Sequence, residues 1–352
     1  MARKKQKIIF GNKPYIIGSY SLVGKKEADG PMKKWFDECL EDDTYGEKTW
    51  EKSESKMLKT AMSEAMRRAG KNKDEIGAVL SGDLLNQLMS SSFTARDLHI
   101  PFLGMYGACS TMAESLLLGA VLVDGRYSDD IVIGASSHYC TAERQFRMPL
   151  EHGNQRPPSA QWTVTGSGAM LISSKSHDGG FRADDKGSWN RLKHIRVECG
   201  TIGKVIDAGI RDANQMGSAM APAAVDTLLN HLEDTGRDLD YYDVVLTGDL
   251  GYIGKDIMKD LLIDAGISKN MLDERYDDCG CMIYDLQQDI HSGGSGCGCS
   301  ASIFAGYIYK KMTTGELKKV LIMSTGALLS TISPFQGESI PGIAHAVSLI
   351  AE

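Results

Sequence analysis

Hydrophobic and polar positions along this 352-residue chain fall in blocks whose period switches between about 3.6 residues and short continuous apolar runs. The first clear helix is read at 53–69. There Met57, Leu58, Ala61, Met62, Ala65 and Met66 share a face, Ser53 or Ser55 can cap the start, and Gly70 can stop the end. A strand follows at 76–80, then a helix at about 92–98 and a short strand at 101–105. A helix from about 111 to 123, stopped at Gly125, leads into a buried strand at 131–135. Such β-α-β alternation calls for a sheet covered by helices on both faces, an α/β fold.

The second half repeats this plan. Val79-Leu-Ser-Gly-Asp-Leu84 returns as Val245-Leu-Thr-Gly-Asp-Leu250. Cys109 and Gly125 return as Cys299 and Gly315, each 190 residues on, and the strand at 131–133 returns at 320–322, one residue out of step. Three consecutive matching elements imply a tandem duplication of a β/α half, the first over 1–175 and the second over 190–352. Between regular elements, 143–158 is polar, contains Pro149, Pro157 and Pro158, and reads as a long loop before a strand at 168–172. The Gly-, Ser- and Asp-rich stretch 176–190 reads as the connection between halves, and 35–54 as an acidic and aromatic insertion packed on the surface.

Charge and cysteine content narrow the function. A net charge of −7 and a pI near 5.7 exclude a general nucleic-acid binder, which needs a basic face. No apolar run approaches the roughly 20 residues that cross a bilayer. The basic start Met1–Lys7 lacks the apolar core of a secretory signal and reads as a solvated end. Without an export signal, the eight cysteines read as free thiols. Cys279/Cys281 and Cys297/Cys299 are each separated by one residue, too close for the usual zinc ligand pair.

Gly107-Ala-Cys-Ser110 opens a predicted helix. Unpaired N–H groups and the dipole there favour the thiolate of Cys109 and can hold an oxyanion or carboxylate. The plainer reading is a small buried residue where strand meets helix. A duplicated β/α chain with this motif resembles the thiolase and ketoacyl-synthase III superfamily, whose cysteine at this position accepts the acyl group. The resemblance implies a layered α-β-α-β-α architecture, a catalytic His at the end of the second-half strand and an Asn at the start of the helix that follows. Those positions hold Gly248 and Cys297, and neither does the missing work. Asp249 is adjacent, but its charge would repel an enolate. A thiolase would carry a second cysteine after the strand that ends at Gly326, and none follows. Condensation and thiolysis are therefore not expected.

Four motifs in order narrow the resemblance: 106–112, 246–252, the Gly- and Cys-rich stretch 291–299, and 324–330. With them the chain resembles the stage V sporulation AD family of spore-forming bacteria. That resemblance implies non-enzymatic binding of dipicolinic acid (pyridine-2,6-dicarboxylate), alone or as its calcium chelate, for uptake into the developing spore. It also implies work beside membrane proteins of the same operon at the spore inner membrane, germination as a related role, a homodimer, and no cofactor. The expected ligand residues are Cys109, Ser110, Asp249, Cys297 and Gly326, with His138 and Arg147 at the pocket mouth and Arg144 near them. The Gly-rich part of the 293–302 loop lets a ligand approach the backbone. Asp249 opposes a dianion unless Ca²⁺ bridges the two. His291 is read as supporting the turn, and His152 and His177 as loop residues. Two alternatives stand: an acyl-transfer enzyme using Cys109 with an unrecognised base, and a structural scaffold of a membrane complex with a vestigial pocket.

Overall fold

The computed structural model describes residues 5–146, 156–176, 181–183 and 189–352, with only the backbone path of 181–183 and 189–191. Ten strands cross the main sheet in the order Tyr276–Asp278, Val244–Thr247, Lys319–Ala327, Gly342–Ala351, Ile195–Thr201, Tyr15–Val23, Gly166–Ser173, Asp130–Ser137, Ala78–Gly82 and Phe102–Gly104. Read outward from the centre, both directions visit the strands of each half in the same chain order, first, fifth, fourth, second, third. The three outer strands of each half run parallel and the inner two antiparallel. This shared topology is the duplication seen in the sequence.

The halves join at two short stretches. Tyr15 and Ile16 pair with Arg196 and Ile195, and Lys7–Ile9 pairs with Cys199–Thr201. Helices Trp50–Arg68 and Met89–Leu98 cover the outer face of the first half, and Met216–Thr235 and Gly251–Asp264 that of the second. Helices Thr111–Asp124 and Cys297–Ile303 lie between, which gives the α-β-α-β-α layering.

Each layer follows from its sequence. Trp50–Arg68 is amphipathic: Met57, Leu58, Ala61, Met62 and Ala65 are buried, and Thr49 caps the start by accepting the Lys52 N–H. Thr111–Asp124 is apolar nearly all round, as a helix between the two halves of the sheet must be. Gly119 brings it down onto the first sheet, where a Cβ would stand 2.7 Å from Ile172 Cδ1. The second central helix passes through a π-helical segment, Phe304–Ile308, before Tyr309–Thr313, so it is not a plain copy of the first.

Three expectations change. The polar stretch from 143 begins inside a helix, Tyr139–Phe146, and Pro149 lies outside the described residues. The 35–54 stretch is built into the body, not laid on its surface. Phe36 and Leu40 are buried, Glu38–Cys39 pairs with Tyr15–Val23, and Ser53 and Glu54 are buried. Composition marked it as surface because its polar groups find tertiary partners that no local pattern shows. In the 176–190 connection, Phe181–Ala183 and Trp189–Arg191 pair as antiparallel strands.

Candidate functional site

Strand Phe102–Gly104 is followed by the turn Gly107–Ser110, which delivers Cys109 to the start of helix Thr111–Asp124. The turn closes on itself. Ser110 donates both its N–H (3.0 Å) and its hydroxyl (2.6 Å) to the Gly107 carbonyl. The Thr111 hydroxyl donates to the Ala108 carbonyl at 2.7 Å and accepts the Gly107 N–H at 3.2 Å. Ala108 adopts φ +49°, a left-handed conformation rare without glycine. From the second half, Gly326 lies against this turn so closely that a Cβ there would stand 2.2 Å from the Gly107 carbonyl oxygen.

Asp249 follows strand Val244–Thr247 and is fully buried. Its Oδ1 accepts the Thr325 hydroxyl at 2.8 Å, its Oδ2 accepts the Gly296 N–H at 2.9 Å, and the Cys109 thiol is also hydrogen-bonded to it. Burial pushes the carboxyl up to about 7, against these hydrogen bonds. Burial, then the charge of Asp249, pushes the Cys109 thiol well above its ordinary value. The expected thiolate is therefore replaced by a neutral thiol, because desolvation and an adjacent carboxyl outweigh the end of one helix.

The remaining expected residues divide. Cys297 is buried and its thiol donates to the Ala108 carbonyl at 3.0 Å, so it touches the Cys109 turn. Gly248 does not face the pocket: a Cβ there would meet Ser324 Cα and Thr325 N, each at 3.0 Å. The side chain that reaches Cys109 from this strand end is Asp249, one residue later than the sequence comparison placed it. Ser110 is fully buried with its N–H and hydroxyl already spent, so it cannot receive a ligand carboxylate. His138 is buried away from the pocket. Its Nδ1 accepts the Cys140 N–H, its Nε2 bonds the Asp43 carbonyl at 2.8 Å, and burial keeps it neutral. Arg144 turns to Glu51 and the face of Trp50. Arg147, His152 and His177 lie outside the described residues. His291 bonds the Pro157 carbonyl at 2.9 Å and supports its turn. Both Asp249 oxygens are taken by donors, and no group of three His, Cys, Asp or Glu among the described residues is placed for a metal. These surroundings tell against a calcium bridge at Asp249.

Above Cys109 opens a cleft whose empty space, counting the part open to solvent, is about 420 Å³. Leu84, Phe146, Met216 and Leu329 give it apolar walls, with Tyr106, Thr163, Ser295 and Glu143 among the polar lining. Among the described residues no Lys, Arg or His lines it. Sequence reasoning missed two buried acids whose charges act on residues of the site, Asp83 on Tyr106 and both acids on Cys297. Glu54 accepts the Ser136 and Thr141 hydroxyls, Asp83 accepts the Leu85 and Ser91 N–H groups, and burial raises both carboxyls. One signal was available, since the duplication sets Asp83 opposite Asp249.

The sequence pattern of the family described as Stage V sporulation protein AD (SpoVAD) fits residues 4–350. The Stage V sporulation protein AD of Bacillus subtilis (strain 168) is 41% identical over 343 residues, which cover 97% of this chain and 96% of that one. Among solved structures, cerulenin-bound OleA of Xanthomonas campestris has a TM-score of 0.60 at 11% identity, covering 99% of this chain and 100% of that one. The 3-oxoacyl-[acyl-carrier-protein] synthase III of Aquifex aeolicus has a TM-score of 0.53 at 12% identity, covering 96% and 99%. These structural likenesses establish the thiolase-like, ketoacyl-synthase-like fold. By the family pattern and the Bacillus relative together, the chain belongs to the stage V sporulation protein AD family.

Proposed function

We propose that this chain is a non-catalytic sporulation protein that binds dipicolinate in the cavity above Cys109 and serves its uptake into the developing spore. The observation that carries this reading is the Cys109–Asp249 pair. A condensing enzyme needs a reactive thiolate, a base and oxyanion donors. Here burial and the Asp249 carboxyl keep the thiol protonated, no histidine among the described residues lines the cavity, and the Ser110 N–H is already spent. What remains is a pocket with apolar walls and a few polar groups, the general form of a small-molecule site.

The lining also favours one form of the ligand. A free dianion would enter a cavity that offers no cation among the described residues and holds Glu143. The calcium chelate is neutral and flat, and it suits these walls better. Calcium would then arrive with the ligand, not on a protein site. Work beside membrane proteins of the same operon at the spore inner membrane, a part in germination and homodimer formation belong to the same proposal and rest on the family. No helix of the described residues is long and apolar enough to cross a membrane.

Calorimetric titration with dipicolinate, with and without Ca²⁺, tests the reading on the wild type, Cys109→Ala and Met216→Trp. Saturable binding that is tighter with Ca²⁺ and blocked by the bulkier Met216→Trp supports it. Absence of binding in both conditions, or covalent labelling of Cys109 by an acyl-CoA analogue, would overturn it in favour of the scaffold or the enzyme.

A further inference from the structure

A second polar constellation lies across a strand from the cavity. Trp162 and Thr163 form a two-residue strand paired with Gly294 and Ser295. Thr163 and Ser295 line the cavity, and the alternation of a strand turns Trp162 to the opposite side. One face of the Trp162 ring is stacked on Tyr139, centroids 3.8 Å apart and planes 9° from parallel. Two cations also meet the ring, Lys26 Nζ at 3.9 Å from its centroid and Arg156 Cζ at 4.6 Å.

These cations are poorly compensated. The Arg156 side chain is only 9% exposed. Its Nη2 donates to the Asp289 carbonyl at 2.6 Å and lies 3.1 Å from the Asp289 carboxylate, while its buried Nη1 has no acceptor among the described residues. Among the described residues, Lys26 Nζ donates to a backbone carbonyl, that of Gln288, at 2.5 Å. Asp289 is 76% exposed and shared with His291 at 3.2 Å, and the other carboxyl acting on Lys26, the buried Glu27, already accepts the Tyr284 hydroxyl and the Thr165 N–H. Lys26 is held below its ordinary pKa by burial and then by the charge of Arg156, as expected of two cations drawn together. Asp289 and His291 both sit at positive φ, +53° and +51°, strain that persists only where the surroundings impose it.

The Trp162 ring attracts each cation, but the two repel one another and a buried donor is left over; a buried unpartnered polar group costs stability unless something completes it. We propose that Lys26 and Arg156, backed by the Tyr139–Trp162 stack, form a binding site for a small oxyanion, a carboxylate or phosphate held by the guanidinium and the ammonium together. The fork of an arginine matches two oxygens of such a group, and the lysine adds charge from the side. This site is separate from the cavity above Cys109 and does not depend on what that cavity binds.

Trp162 is one of four tryptophans and reports on the site directly. The experiment titrates the full chain with inorganic phosphate and with acetate at constant ionic strength, and with chloride as the ion that lacks the oxygen geometry. Tryptophan fluorescence and melting temperature are the readouts, and Trp162→Phe identifies the optical signal. The expected result is a saturable change with phosphate or acetate and none with chloride. Arg156→Gln and Lys26→Gln should each weaken it at least tenfold, and Arg156→Lys should recover only part. Should Arg156→Gln fail to fold, Lys26→Gln, which leaves the Arg156–Asp289 pair intact, carries the test. No saturable change, equal changes with all three anions, or binding unaltered by Lys26→Gln would overturn the proposal.

Discussion

At the scale of the residue, the decisive group is Asp249. Its native carboxyl titrates near 7, far above the value near 4 of an unfolded chain. A group raised in this way keeps its proton in the fold where the unfolded chain has lost it. Its contribution is full below pH 4 and is lost as pH climbs through 7. Burial shifts Glu27 to about 7 and Asp278 to about 6, in the same direction. Stability in urea should therefore be greater at pH 5.5 than at pH 8, and Asp249→Asn should flatten that slope; an unchanged slope would contradict the assignment. The same pair sets the reactivity of Cys109. Iodoacetamide should label this thiol at pH 7.5 at least tenfold more slowly than a free cysteine, read by mass spectrometry of the native protein. The sequence placed Cys109 correctly at its turn but not its charge state. Charge depends on Asp249, Thr325 and Gly296, which are remote in the chain and meet only in the fold.

At the scale of the element, the site depends on how closely strand Lys319–Ala327 approaches the Cys109 turn. Gly326→Ala should cost about 3 kcal/mol and abolish ligand binding, because the added methyl group must displace the turn backbone. Gly248→His, the substitution that would nominally restore the superfamily histidine, should destabilise the protein without creating activity, since its Cβ would press on the neighbouring strand, 3.0 Å from Ser324 Cα and Thr325 N. Circular dichroism and urea midpoints check both. The helices and strands that carry apolar periodicity were legible within a few residues, including Trp50–Arg68 and Asp130–Ser137. Tyr139–Phe146 was not, because its polar residues are satisfied by other segments. Gln145, for example, donates to the Leu84 carbonyl.

At the scale of the whole molecule, the duplication was fully legible because both copies keep their strand order, and the strand order builds the layers. The pocket draws on both copies: Cys109 and Tyr106 come from the first, Met216, Ala327 and Leu329 from the second. Residues 1–175 expressed alone should accordingly aggregate or remain unfolded, since helix Thr111–Asp124 would leave bare the face that packs on Gly342–Ala351. The full chain should melt in one calorimetric transition, and two resolved transitions would show that the halves fold apart.

The two short stretches that join the sheet halves bear on this last point. A seam of five residue pairs, broken between Phe10 and Pro14, offers little resistance when one half shears past the other. The rigidity that the sheet lacks must come from the two middle helices, and the turn that starts one of them is the floor of the cavity. A ligand lodged above Cys109 should then act as a wedge at the fulcrum and stiffen the molecule from end to end. Occupancy of one small hollow should become legible at a distance, as a change in how far the two outer helical layers can slide.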